Sequence, residues 1–202
     1  MSQAEPSRRD RILQALVGLL ETDPAARITT ATLARGVGVT EAALYRHFPS
    51  KRKMFEALIE FAEDAVFSRC QVILQEQDAA RTRMQQLVHL VLVFAERNPG
   101  LCRILTGDAL MGEDEGLRRR ASQFFERLET QVRQILKEGD IREGLRPRTS
   151  AARGADWVMV FVEGRIHRFV RSSFERLPTT EFDESWGLMA SGLWAGAVDT
   201  GS

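Results

Sequence analysis

Apolar residues recur three and four positions apart in every long segment between turn signals, and no run of alternating β-branched residues bounded by hairpin dipeptides interrupts them. A chain patterned this way buries its apolar face by packing helix on helix, so the fold class is all-α. Ile12, Leu13, Leu16, Val17, Leu19 and Leu20 follow Ser7 and the bases Arg8, Arg9 and Arg11, which predicts an amphipathic first helix with a cationic start. In the stretch ITTATLARGVGVT, Thr29 or Thr30 can cap a short helix around Leu33 and Ala34, and Gly38 can adopt the left-handed conformation that ends it. Thr40 can cap another helix a few residues later. Two short helices around a glycine turn, behind a longer first helix, have the form of a helix-turn-helix unit.

The remaining punctuation predicts helices over about 51–77 and 80–97, the second broken by Asn98-Pro99-Gly100. A shorter helix over 101–111 follows, then an acidic loop from Gly112 to Gly116, a long helix over 117–138 and a glycine-containing break over 139–147. The last two helices are expected over about 149–173 and 182–197, with the tail VDTGS frayed. This divides the chain into a helix-turn-helix DNA-binding domain, 1–53, and a helical dimerisation and partner-binding domain, 54–202.

Charge supports that division. The 202 residues carry no formal net charge, yet residues 1–53 hold nine Arg and Lys against five Asp and Glu, while 54–202 hold nineteen against twenty-three. A net +4 head on a −4 body suits a polyanion-binding head, although solvated faces alone could produce the same split. No apolar run reaches membrane-spanning length and the start MSQAEPSRRD is polar and basic, so the expected location is cytoplasmic, with no membrane required. Cys70 and Cys102 lack a paired spacing and read as reduced packing residues, and His47, His89 and His167 lack the spacing of a zinc site. There is no phosphate-cradling glycine loop and no nucleophile elbow, and Glu163 and His167 are explained by helical i, i+4 spacing. Neither an enzyme nor a metal or cofactor is expected.

The stretch TEAALYRHFPSK carries the sharpest signal. Leu44 and Phe48 lie one turn apart and can pack on Leu33, Val37 and the first helix, leaving Thr40, Glu41, Ala42, Ala43, Tyr45, Arg46 and His47 on the rest of the surface. Small residues at the front of a short helix let it approach the major groove, and hydrogen-bonding residues behind them can hold phosphates. The blander alternatives are that Tyr45 rims the small core, that Thr29 and Thr40 are caps only, and that Lys51 merely solvates the next helix.

The pattern TTATLA, VGVT and LYRHFPSK resembles the N-terminal DNA-binding domain of TetR-family transcription factors. The longer phrase RITTATLARGVGVTEAALYRHFPSKRKMFEALIEF, with FAERNPGLCRILTGDALM, is similar within that family to nucleoid occlusion factors, which bind chromosomal DNA and antagonise the division GTPase FtsZ. The resemblance implies that Tyr45, His47 and Lys51 clamp phosphates, with Thr29 and Thr30 at the backbone or groove edge. It places Glu41, Ala42, Ala43 and Arg46 toward the bases, where Arg46 could reach guanine and Glu41 could accept from cytosine or exclude wrong sequences. The implied partner is double-stranded DNA with palindromic sites, bound by a homodimer, one or more per site, on the nucleoid.

In the fifth helix Met84, Leu87, Val88, Val91 and Ala95 form a core stripe, whereas Leu90, Val93 and Arg97 fall on another side. That side is either covered by a helix of the same subunit or forms a groove with Phe61 and Arg69 of the fourth helix, closed by Asn98. The resemblance favours the groove: Phe61, Arg69, Leu90, Val93, Arg97 and Asn98 are the positions implied to receive the FtsZ C-terminal tail. Val93 stands where those factors are expected to have a glycine, which implies a narrower groove. Movement of the fourth helix on DNA binding could couple head and groove. The competing function is a ligand-responsive TetR-type transcriptional repressor. For dimerisation, Trp157 and Phe161 on one helix and Trp186, Met189, Leu193 and Trp194 on the next offer more apolar surface than one chain is expected to bury, the alternative being a monomer core.

Overall fold

The computed structural model describes residues 7–22 and 28–194. Among them the ordered elements are helices: α1 (Arg8–Thr22), α2 (Thr30–Val37), α3 (Glu41–His47), α4 (Lys51–Glu76), α5 (Ala80–Arg97), α6 (Pro99–Leu105), α7 (Glu115–Glu143), α8 (Ala151–Arg171) and α9 (Phe182–Leu193). A short 3-10 turn, Asp108–Leu110, separates α6 from α7. The expected end of the last helix, 195–197, and the tail VDTGS, 198–202, lie outside the described residues.

The chain resolves into two compact units, one of Met1–Glu63 with Asn98–Ser122, the other of Asp64–Arg97 with Gln123–Ser202. The first therefore takes in more than the expected 1–53 head: α6 and the start of α7 belong to it. In this unit the apolar face of α1, Ile12, Leu16 and Leu20, is fully buried along with Leu33, Leu44 and Phe48 from α2, α3 and the residue after it. α6 packs directly on α1. The sequence reads Asn98-Pro99-Gly100 as a break; it is also the beginning of α6, because Pro99 at the first helical position gives up no needed donor. Gly100 is required by close approach, since a Cβ there would stand 2.7 Å from the Val17 carbonyl oxygen. Arg103, almost wholly buried, donates through Nη1 to the Leu20 carbonyl in the last turn of α1 at 3.0 Å and through Nε to Asp108 at 2.6 Å. The buried Glu63 carboxylate is met by both terminal guanidinium nitrogens of Arg120.

In the second unit α5 contributes Met84, Leu87, Val88, Val91, Leu92 and Ala95 to the core and packs against α8 and α9. α7 extends beyond the expected 117–138: Gly139 continues the helix, and its missing side chain admits Ala80, whose Cβ would lie 2.8 Å from a Cβ at 139. Sequence reading takes a glycine near a helix end as a stop, whereas this one serves helix-to-helix contact. α9 is fastened at its C-terminal end by Arg148, whose backbone N–H donates to Leu193 O at 2.8 Å and whose Nε reaches Trp194 O at 3.1 Å.

Candidate nucleic-acid interface

The geometry of α2 and α3 follows from their caps. Thr29 begins α2 with a reciprocal capping box: its hydroxyl accepts from the Thr32 N–H at 3.1 Å, and its own N–H donates to Thr32 Oγ1 at 2.9 Å. Gly38 ends the helix at φ 70° and ψ 40°, a left-handed conformation that disfavours any residue with a Cβ, and Val39 N–H reaches back to Ala34 O at 2.9 Å. After this tight turn the Thr40 hydroxyl accepts from Ala43 N–H at 3.2 Å and starts α3. Leu44 and Phe48 pin α3 to the core, with the Arg9 guanidinium 5.1 Å from the Phe48 ring centroid.

What remains outside is the surface the sequence singles out. Thr29, Thr40, Glu41, Ala42, Tyr45, Arg46 and His47 are exposed, Thr30 and Ala43 half-buried. Tyr45 exposes 44% of its surface, far more than a residue rimming a core needs. The small Ala42 and Ala43 stand at the front of α3 and the larger donors Tyr45, Arg46 and His47 at its end, an arrangement that lets the front approach base edges while the end meets the backbone. Glu41 is not free of partners: its Oε2 accepts a 2.7 Å hydrogen bond from Thr30 Oγ1, tying the starts of α2 and α3 together. A base contact by Glu41 would have to compete with that bond.

Lys51 opens α4, where Ser50 caps by accepting from Lys53 N–H at 3.2 Å. Its ammonium lies 5.4 Å from the Phe55 ring centroid and 2.5 Å from Glu113 Oε1. Arg52 next to it meets Glu56 at 2.7 Å and Asp114 at 2.6 Å. The hydrogen bonds from Arg52 and then Lys53 hold the Glu56 carboxyl below its usual range. Sequence reading identifies Lys51 but misses Glu113 and Asp114 as its company; the only available signal is the charge complementarity of an acidic stretch sixty-two residues away.

Residues 12–58 match the family described as bacterial regulatory proteins, tetR family, and residues 78–194 match the SlmA-like form of the tetracyclin repressor-like C-terminal domain. Over 194 residues the chain is 79% identical to the nucleoid occlusion factor SlmA of Marinobacter nauticus, covering 96% of this chain and all of that protein. The chain belongs to the SlmA nucleoid occlusion factors of the TetR family. A SlmA of Shewanella frigidimarina is 54% identical across 93% of the chain and 95% of its own length. The crystal structure of the MbdR regulator from Azoarcus sp. CIB superposes with a TM-score of 0.79 over 93% of this chain and 99% of that one, at 19% identity, which speaks for the fold alone. This is a family of DNA-binding regulators and not of enzymes.

For a SlmA-family chain the placement of the remaining candidates matters equally. In the first unit Phe61 is 55% exposed and Asn98 half-buried. In the second, Arg69 and Arg97 are exposed, while Leu90 and Val93 are half-buried and so are not sealed into the core. Trp186, Met189, Leu193 and Trp194, expected at a subunit interface, are instead buried within one protomer. Their helical stripe faces inward, and Trp186 lies between Phe182 and Trp194 at ring distances of 6.4 and 6.3 Å. On α8 and α9 the exposed large apolar residues are Trp157, Val160 and Leu188, with Phe161 half-buried beneath Arg165. Trp157 packs on Gly192, whose Cβ would come within 2.6 Å of the indole.

Proposed function

We propose that this SlmA-family protein grips palindromic duplex sites as a homodimer and, on the nucleoid, holds the C-terminal tail of FtsZ so that septal ring assembly is blocked over the DNA. The exposed end of α3 carries the first half of this reading: Tyr45, Arg46 and His47 project from a helix whose front is small and whose back is locked by Leu44 and Phe48. Arg46 is the candidate for a guanine edge; Tyr45, His47 and Lys51 are the candidates for phosphates, with Thr29, Thr30 and Thr40 at the groove edge. Dimerisation runs through the outer faces of α8 and α9, where Trp157, Val160 and Leu188 leave apolar area that a twofold copy would cover. Two such heads would meet half-sites about 34 Å apart.

The tail site draws on Arg69, Leu90, Val93 and Arg97 of the second unit. Apolar anchors on the tail meet Leu90 and Val93, and its acidic groups meet the two arginines. The half-buried state of Leu90 and Val93 favours this over a fully covered internal face. Charge reversal tests it: Arg69→Glu or Arg97→Glu is expected to weaken binding of an FtsZ tail peptide by at least tens of fold, as removal of a contact of about 2 kcal/mol would. Operator binding by the same variants stays at the wild-type level. Wild-type peptide affinity in both variants would refute the site, and an operator shift by a small molecule without any peptide binding would support the ligand-responsive repressor instead.

A further inference from the structure

The acidic turn between Gly112 and Gly116 is more than a connection. Glu113 and Asp114 lie against the first two residues of α4, with Lys51 Nζ 2.5 Å from Glu113 Oε1 and Arg52 Nη1 2.6 Å from Asp114 Oδ1. The turn is held in place from both sides, because Leu110 and Leu117 are fully buried. Gly112, at φ 79°, permits the reversal between them, and Glu113 N–H donates to Leu110 O at 3.1 Å. Asp114 Oδ1 also accepts from Gly116 N–H at 2.8 Å. A Cβ at residue 116 would stand 2.7 Å from that oxygen and 3.0 Å from Arg52 Nη2, so the absence of a side chain there makes room for the pair.

The N-terminus of a long helix with a lysine and an arginine on its first turn is a place where a DNA phosphate is favoured, by its unpaired N–H groups, its dipole and its cations together. Two carboxylates already stand there. The side chains of Lys51 and Glu113 are only 20% and 22% exposed, which shields their pairing from salt better than an open surface pair is shielded. Arg52 and Asp114, at 48% and 53%, hold each other less firmly.

We propose that the Glu113–Asp114 turn is a phosphate-mimicking latch on the DNA-binding unit. It occupies Lys51 and Arg52 in the free protein and is displaced from them by the backbone of a bound duplex. The proposal rests on the reading of Lys51 as a phosphate contact. Displacement costs the same on every sequence, so the latch lowers affinity for operator and random DNA by one common factor. Binding at sites with few other contacts then falls below useful levels, while the ratio between specific and non-specific affinity stays unchanged.

The test measures binding of the full-length protein to a fluorescein-labelled operator-type palindrome and to a random-sequence duplex by anisotropy. Glu113→Gln is expected to tighten both by about two- to fivefold, the range of a partly shielded ion pair. Gly116→Ala, which changes no charge, should tighten both in the same direction. Glu115→Gln removes the same charge from a carboxylate that pairs with Arg119 at 3.0 Å instead of with α4, and should change neither. In a Lys51→Ala background Glu113→Gln loses most of its effect. Equal gains from Glu113→Gln and Glu115→Gln would reduce the latch to net charge and overturn it. Weaker binding by a folded Glu113→Gln would overturn it too, by making Glu113 the residue that presents Lys51 to DNA. A wild-type protein that binds neither duplex overturns the DNA reading itself, whereas normal wild-type binding with Glu113→Gln unchanged overturns the latch alone.

Discussion

Replacing Gly100 by alanine probes the contact that fastens α6 to α1. The new Cβ would stand 2.7 Å from the Val17 carbonyl oxygen and 3.1 Å from both Val17 Cγ1 and Glu21 Cγ. The nearest of these atoms is backbone, so relief requires one helix to shift against the other and not a rotamer change. Overpacking of this kind costs about 1–3 kcal/mol, from which the better helix propensity of alanine returns up to about 1 kcal/mol. Because the closest atom is backbone, the cost lies in the upper part of that range, about 2–3 kcal/mol, and the net loss is about 1–2 kcal/mol. Gly18 is an internal control on the same α1, with nothing within 4 Å of the position its Cβ would take. Gly18→Ala therefore gains propensity alone and stabilises by about 0.5–1 kcal/mol. At about 2–4 °C per kcal/mol for a chain of this size, the two variants fall on opposite sides of wild type, Gly100→Ala lower by about 2–8 °C and Gly18→Ala higher by about 1–4 °C. Calorimetry gives the order, and amide exchange in α1 and α6 shows which unit is affected. A Gly100→Ala protein that melts at or above wild type would refute the reasoning.

Three further outcomes follow from the same structure. Thr29→Ala should destabilise α2 by about 1 kcal/mol through the lost capping box, whereas Thr29→Asp keeps a capping oxygen and should retain Tm while losing DNA affinity to phosphate repulsion; equal melting of the two would argue against the cap. Lys51→Ala and His47→Ala should each lower the log–log salt slope of operator binding by up to about one unit, and an unchanged slope at wild-type affinity removes them from the clamp. Burial pushes the Cys70 and Cys102 thiols up to about 11 and about 12, so neither should react with a thiol reagent in the native protein at pH 8 and both should react in denaturant. Because the folded values lie above the unfolded one, their contribution to stability is constant below the ordinary thiol range and is lost progressively as pH rises from there toward about 11 for Cys70 and about 12 for Cys102; thermal melts between pH 7 and 10 would register the onset of that loss.

Much of the fold is written in the chain because local and global signals agree. Thr29, Gly38 and Thr40 announce the ends of α2 and α3 by side-chain chemistry that acts within four residues, and the structure uses each of them for that purpose. Gly139 misleads for the opposite reason: its role is set by Ala80, fifty-nine positions away in a neighbouring helix, and no local pattern distinguishes a packing glycine from a terminating one. The same holds for Trp186 and Trp194. Periodicity identifies an apolar stripe, but whether that stripe meets α5 and α8 or a second subunit depends on how α9 is anchored, and Arg148 supplies that anchor from outside the helix. Among the residues proposed to face DNA, exposure separates Tyr45, Arg46 and His47 from the buried Leu44 and Phe48 as helical spacing implies. The ties of Glu41 to Thr30 and of Lys51 to Glu113 are tertiary and could be found only in the fold.

In the proposed function one protein joins operator DNA to the division machinery. Titration of a fluorescent FtsZ C-terminal tail peptide into the full-length protein, with a specific duplex, with a random duplex and with none, tests it most directly. Saturable binding that tightens when the specific duplex is present is the expected result. Peptide that fails to bind under all three conditions, while the protein still grips its operator, would contradict the claim.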